Sequence, residues 1–145
     1  MKEAARRIHA AGMLLSVSCI LGLAGVERSQ DHALATAEVL NQMRPEHVGL
    51  LTLMLLDNTP LFRQARAGRF VMPDRRGLLL ELRALLSHLE TRCAFAANHP
   101  SNHLVLSGRL PRDREALLAQ VDAALCAGIP DQQHPIRRMM PHTCR

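Results

Sequence analysis

The sequence predicts an α/β fold, a parallel sheet covered by helices in the order α-β-α-β-α-β-α. Three observations predict it. Residues 13–21, 47–56 and 92–98 are short apolar runs that read as strands. The segments between them carry apolar residues at helical spacing. Strands that alternate with helices build a parallel sheet, because each crossover returns the chain to the same end. A closed (β/α) barrel needs about 250 residues. Three strands therefore make a half-barrel, a partial (β/α) barrel or a small open sheet.

The elements follow in order. Ala4, Ala5, Ile8 and Ala11 recur at helical spacing, and Gly12 stands where a helix ends on a left-handed residue. Residues 13–21 are nearly all apolar, as a strand buried on both faces should be. After a turn at Gly22 and Gly25, Ser29 is placed to cap a helix, with Asp31 in its first turn to meet the dipole. That helix reaches about Met43, with Leu34, Ala37, Val39 and Leu40 inward, and Arg44-Pro45 stops it. "HVGLLTLMLL" is the second strand. A turn around Asn58 and Pro60, a short helical piece and a break at Gly68 follow. Asp74 caps a strongly periodic helix with Leu78, Leu79, Leu82, Leu85, Leu86 and Leu89 on its apolar face. Glu81, Arg83 and Glu90 are expected on or near its other side. "RCAFAAN" is the third strand and residues 99–113 a loop. Pro111 and Asp113 open the last helix, with Leu117, Leu118, Val121 and Leu125 inward. Residues 1–128 form one domain, and residues 129–145 read as a loose tail.

Composition narrows the function classes. The chain is 48% hydrophobic, so it folds rather than staying disordered. It has three Phe and no Trp or Tyr, which counts against the stacking platforms of single-strand nucleic-acid binders. The net charge of +5 is almost all arginine, Lys2 being the only lysine, and it is scattered along the chain. No nucleic-acid partner is expected from that scatter. Cys19, Cys93, Cys126 and Cys144 are widely spaced and form no compact ligand pattern. Free thiols in a reducing, cytoplasmic compartment fit them best.

The first 26 residues allow a rival reading. A basic start and an apolar stretch resemble a secretory signal, and "LSVSC" resembles a lipoprotein cleavage box. Glu3 in the leading segment, Gly12 inside the apolar run and Ser16 three residues before Cys19 count against it. The run is also short of the roughly 20 residues that span a bilayer. Helix then strand is the favoured reading, with no membrane partner.

Ligands of parallel α/β folds sit at the C-terminal ends of the strands. Three polar clusters fall there: "GLAGVE" from Gly22, "DNTP" from Asp57 and "NHPSNH" from Asn98. The first lacks the GxGxxG and GxxxxGK[ST] patterns of phosphate-binding loops. His99 and His103 are four apart, but Pro100 interrupts any helix and a third ligand is missing, so no metal site is expected. Ser107-Gly108 lacks the context of a nucleophile elbow.

The run "SVSCILGLAGVERSQDHALATAEVLNQMRPEHVGLLTLMLLDNTPLF" resembles the C-terminal half of radical S-adenosylmethionine Fe–S oxidoreductases related to oxygen-independent coproporphyrinogen oxidase. "GLAGVE" is similar to their glycine-rich turn after a late barrel strand. "NTPLF" is similar to their Gly-Thr-Pro-Leu-aromatic turn, with Asn58 in place of glycine. "FAANHPSNHLVLSGRLPRDREALLAQVDAAL" is similar to their C-terminal segment. The resemblance spans about residues 8–125. It implies a partial (β/α) barrel, a 4Fe-4S cluster, S-adenosylmethionine, and radical hydrogen abstraction after reductive cleavage of that cofactor. It implies that Gly22, Gly25 and Glu27 line the cofactor side of the mouth, and that Asn98, His99, Ser101 and Asn102 shape the substrate side. The CxxxCxxC that holds the cluster in that family is absent here. The expectation is therefore a C-terminal fragment, not catalytic alone, whose partner is the missing N-terminal half of the barrel or another chain. A non-enzymatic domain that completes a split barrel, and a small secreted or lipid-anchored protein, are the alternatives.

Overall fold

A computed structural model describes residues 1–127. The elements are α1 (Lys2–Ala10), β1 (Ser16–Leu21), α2 (Ser29–Met43), β2 (His47–Thr52), α3 (Pro60–Arg66), α4 (Arg75–His88), β3 (Cys93–Ala96), β4 (Ser107–Leu110) and α5 (Arg114–Cys126). The four strands form one open sheet in the order β1-β2-β3-β4. The first three are parallel, and β4 runs antiparallel to β3. The expected tail from residue 129 lies outside the described residues.

β4 corrects the expected order. Residues 99–113 read as loop because "SGRL" has little strand propensity. Pairing supplies what propensity lacks: Cys93 stands opposite Leu110 and Ala96 opposite Ser107. The piece after Pro60 is a separate helix, so α3 and α4 both lie between β2 and β3. Thr59 caps α3 by accepting from Phe62 N–H at 3.2 Å, with Pro60 in its first turn.

All the core helices lie on one face. Leu21, Val48, Leu50, Cys93, Phe95 and Leu110 of the sheet join Leu78, Leu82, Leu85 and Leu86 of α4 and Leu117 and Val121 of α5 in one core. Each buried leucine contributes roughly 2 kcal/mol of hydrophobic stabilisation. α1 packs at one end through Ala5, with Leu15 and Met43. β1 is therefore not buried on both faces as its apolar run suggested. Ser16, Ser18 and Ile20 are exposed, and Val17, Cys19 and Leu21 face the helices. The strand register aligns the uncovered face into rows: Ser16, His47, Ala94 and Arg109; Ser18, Gly49, Ala96 and Ser107; Ile20 and Leu51.

Three helix details also differ from expectation. Leu34 is 42% exposed, while Ala33, Ala37, Leu40 and Met43 form the buried stripe of α2. The small alanines let α2 approach α4 closely. Ser29 is the first helical residue rather than the cap, and its hydroxyl points into the core. Glu81 is not on the polar side of α4: it is fully buried. Asp74 does cap α4, accepting from Gly77 N–H at 2.7 Å.

Candidate functional site at the C-terminal edge of the sheet

β1, β2 and β3 end at Leu21, Thr52 and Ala96, so the loops that follow them leave from the same end of the parallel sheet. The loops that carry the three polar clusters singled out by the sequence thus start from one end of the sheet. Their side chains divide into groups that hold the loops and groups that remain exposed.

The turn after β1 is held from below by Glu81. Both of its carboxylate oxygens accept from Gly22 N–H at 3.1 Å. One oxygen also accepts from the Ser29 hydroxyl at 2.6 Å, and the other meets Nδ1 of His32 at 2.8 Å. Facing a carboxylate, Nδ1 donates to it. One buried carboxylate therefore ties the β1 turn, the first turn of α2 and α4 together. A buried charge is tolerated only where hydrogen bonds replace its water, and here four do so.

Gly22 and Gly25 have φ of 82° and 71°, where a side chain is strained. A Cβ on Gly22 would meet Leu78 and Met72 at 3.0 Å, and one on Gly25 would meet Val71 O at 3.1 Å. Val26 N–H donates to Val71 O at 2.9 Å. The glycines are thus required by the turn and by the strap at residues 70–72 that lies against it. Glu27 is exposed.

The loop after β3 is clasped to β2. Thr52 N–H donates to the Ser101 hydroxyl at 2.9 Å, and the Thr52 hydroxyl donates to Asn102 Oδ1 at 3.0 Å. Asn102 Nδ2 donates to Leu50 O at 2.8 Å. Nδ1 of His99 accepts from Ser101 N–H at 3.1 Å and lies 2.8 Å from the Ser101 hydroxyl. Since Nδ1 accepts from Ser101 N–H and so carries no proton, the hydroxyl donates to it. Ser101 and Asn102 point into the fold, whereas Asn98 and His99 are exposed. In the loop after β2, Thr59 caps α3 and Asp57 and Asn58 are exposed. On the helix side, a cavity of about 10 Å³ among Leu21, Thr52, Leu78, Leu79, Leu82, Ala97 and Asn102 has the size of a single water. This cavity cannot admit a ligand larger than a water.

Sequence reading missed Glu81 and His32. The signal for Glu81 was present: residue 81 is three after Leu78 and four before Leu85, on the apolar face of α4.

Compared with known proteins, the chain matches no family model, and no curated protein or solved structure is significantly similar to it. The three described thiols do not fit a three-thiolate cluster. Cys19 is half-buried on β1, Cys93 is buried on β3 and Cys126 is exposed on α5. Burial pushes the Cys19 and Cys93 thiols up from their ordinary range, away from the thiolate that iron needs. Among the described residues no group of three His, Cys, Asp or Glu is placed to hold a metal. No described helix is long and apolar enough to cross a membrane.

Proposed function

We propose that the chain is one half of a radical S-adenosylmethionine-type (β/α) barrel, which completes its sheet with a cluster-bearing half and is inert by itself. One observation carries this reading. Three parallel strands follow one another in sequence order with their helices on one face, while the other face and the outer edge of β1 are uncovered among the described residues. Barrels place helices outside and the bare sheet face within. The row Ser18, Gly49, Ala96 and Ser107 leaves room above that face. The sequence resemblance supports the family. In this reading Gly22, Gly25 and Glu27 border the cofactor, Asn98 and His99 face the substrate, and Ser101 and Asn102 hold the loop in place. The cluster ligands come from the other half, within a longer polypeptide or on another chain. A reducing, cytoplasmic setting goes with this reading.

The test is reconstitution. The chain is mixed anaerobically with the CxxxCxxC-bearing half of a radical S-adenosylmethionine barrel, with iron, sulfide, S-adenosylmethionine and dithionite. The expected result is a 1:1 complex that forms 5′-deoxyadenosine, while the chain alone forms none. Ile20→Lys on the β1 edge weakens the complex. A chain that stays a monodisperse monomer and joins no such half overturns the proposal.

A further inference from the structure

Outside residues 60–76, five of the nine described arginines hold an ion pair. Arg6 and Arg7 reach Glu3, Arg28 reaches Asp31, Arg83 reaches Asp122 and Arg112 reaches Asp113. Residues 60–76 hold the largest group of arginines and, among the described residues, no ion pair. They hold Arg63, Arg66, Arg69, Arg75 and Arg76 with Asp74 as the single acid. Asp74 is engaged in capping α4, and none of the five arginines has an ion pair among the described residues. Arg63 and Arg66 stand one turn apart on α3. The chain then reverses at Gly68, and Arg69 N–H donates to Gln64 O at 2.9 Å, which returns Arg69 to the last turn of that helix. α3 buries none of its residues. Arg75 and Arg76 stand in the first turn of α4, where cations oppose the helix dipole. The two aromatics outside the core, Phe62 and Phe70, flank the three grouped arginines and are half-buried.

We infer that this segment is a docking surface for the phosphate backbone of a single-stranded nucleic acid. The guanidinium fork matches phosphate oxygens, and the part of the Phe62 ring left exposed beside Arg63 suits a base better than it suits an acidic peptide, whereas the Phe70 ring packs beside Gly25. The sequence shows the arginines of this segment but not which arginines of the chain are held in ion pairs; the fold does. It does not depend on the barrel reading.

The experiment is fluorescence anisotropy with a labelled oligouridylate, titrated at stepped salt. Arg63→Ala/Arg66→Ala weakens binding at least tenfold and lowers the salt slope by about 0.7 per lost phosphate contact. The charge-matched control Arg92→Ala/Arg109→Ala leaves binding within twofold, and circular dichroism checks the fold of each variant. Equal losses in both variants, or no binding at low salt, overturn the inference. Equal binding of a polyglutamate peptide or of phosphatidylserine vesicles also overturns it.

Discussion

Oε1 of Glu81, on a side chain with no exposed surface, lies 2.8 Å from Nδ1 of His32, whose side chain is 24% exposed. The pair joins the middle of α4 to the first turn of α2, and the same carboxylate holds Gly22 and Ser29. Glu81→Leu leaves the buried Gly22 N–H and Ser29 hydroxyl, and the half-buried His32 Nδ1, without an acceptor and is expected to cost about 3 kcal/mol. Glu81→Gln turns an amide N–H₂ toward donors and falls short of wild type by a smaller amount. Urea unfolding reads both as a lower midpoint at unchanged slope. His32→Ala removes one partner, so its effect should shrink in the Glu81→Leu background. Additive losses would mean that the two side chains are not coupled.

Gly25 and Gly12 have nearly the same positive φ, 71° and 70°, but different surroundings. Nothing lies within 4 Å of a Cβ placed on Gly12, whereas one on Gly25 meets Val71 O and the Phe70 ring. Gly12→Ala is expected to cost about 1 kcal/mol, the conformational term alone. Gly25→Ala adds a backbone clash, displaces the strap at residues 70–72 and costs at least twice as much by thermal unfolding. Equal shifts in Tm would show that the strap moves freely.

The elements that local pattern controls were legible: the end of α1 at Gly12, the cap at Asp74 and the leucine face of α4. What pattern missed depends on long-range partners. β4 exists because the β3 edge offers hydrogen bonds to a segment of low propensity. A one-sided β1 looks like a two-sided one, because Ile20 is apolar yet faces away from the helices. The candidate site was legible as three loops at one end of a parallel sheet. Its division into structural and exposed groups was not, since Ser101 and Asn102 find their partners about 50 residues away on β2.

That division is testable at the loop after β3. Asn102→Ala removes bonds to Leu50 O and to the Thr52 hydroxyl and is expected to cost about 2 kcal/mol. Ser101→Ala leaves the buried Thr52 N–H unpaired and is expected to cost a similar amount. Asn98→Ala is expected within about 0.5 kcal/mol of wild type, as an exposed position should be. Hydrogen exchange at Thr52 N–H locates the effect, rising in the first two variants only. An unchanged exchange rate in Ser101→Ala would refute the clasp.

Thiol reactivity separates the three described cysteines. Cys126 is exposed, Cys19 half-buried and Cys93 buried, and burial raises the last two above the ordinary thiol range. Iodoacetamide at neutral pH should label Cys126 first, Cys19 slowly and Cys93 only on unfolding, by mass spectrometry of the digested chain. Fast labelling of Cys93 in the native chain would contradict its place in the core.

Acid should reveal the junction of β4 and α5. Arg112 beside Asp113, together with the backbone N–H of Arg109, lowers the Asp113 carboxyl from 3.8 to about 2. The folded chain therefore holds the ionised form more strongly than the unfolded chain does. Its contribution is present above the unfolded value and is lost as pH falls from 3.8 through about 2. Glu46 shares the direction, because Leu15 N–H donates to it at 2.7 Å. Asp113→Asn is expected to lower stability at neutral pH and to flatten the acid limb over that interval, while Glu46→Gln flattens it independently. Both groups are solvated, so each effect is small and is best read as the difference in urea midpoint between variant and wild type at stepped pH. Parallel curves for Asp113→Asn and wild type below pH 3.8 would show that the Arg112 and Arg109 contacts do not hold the carboxylate in solution.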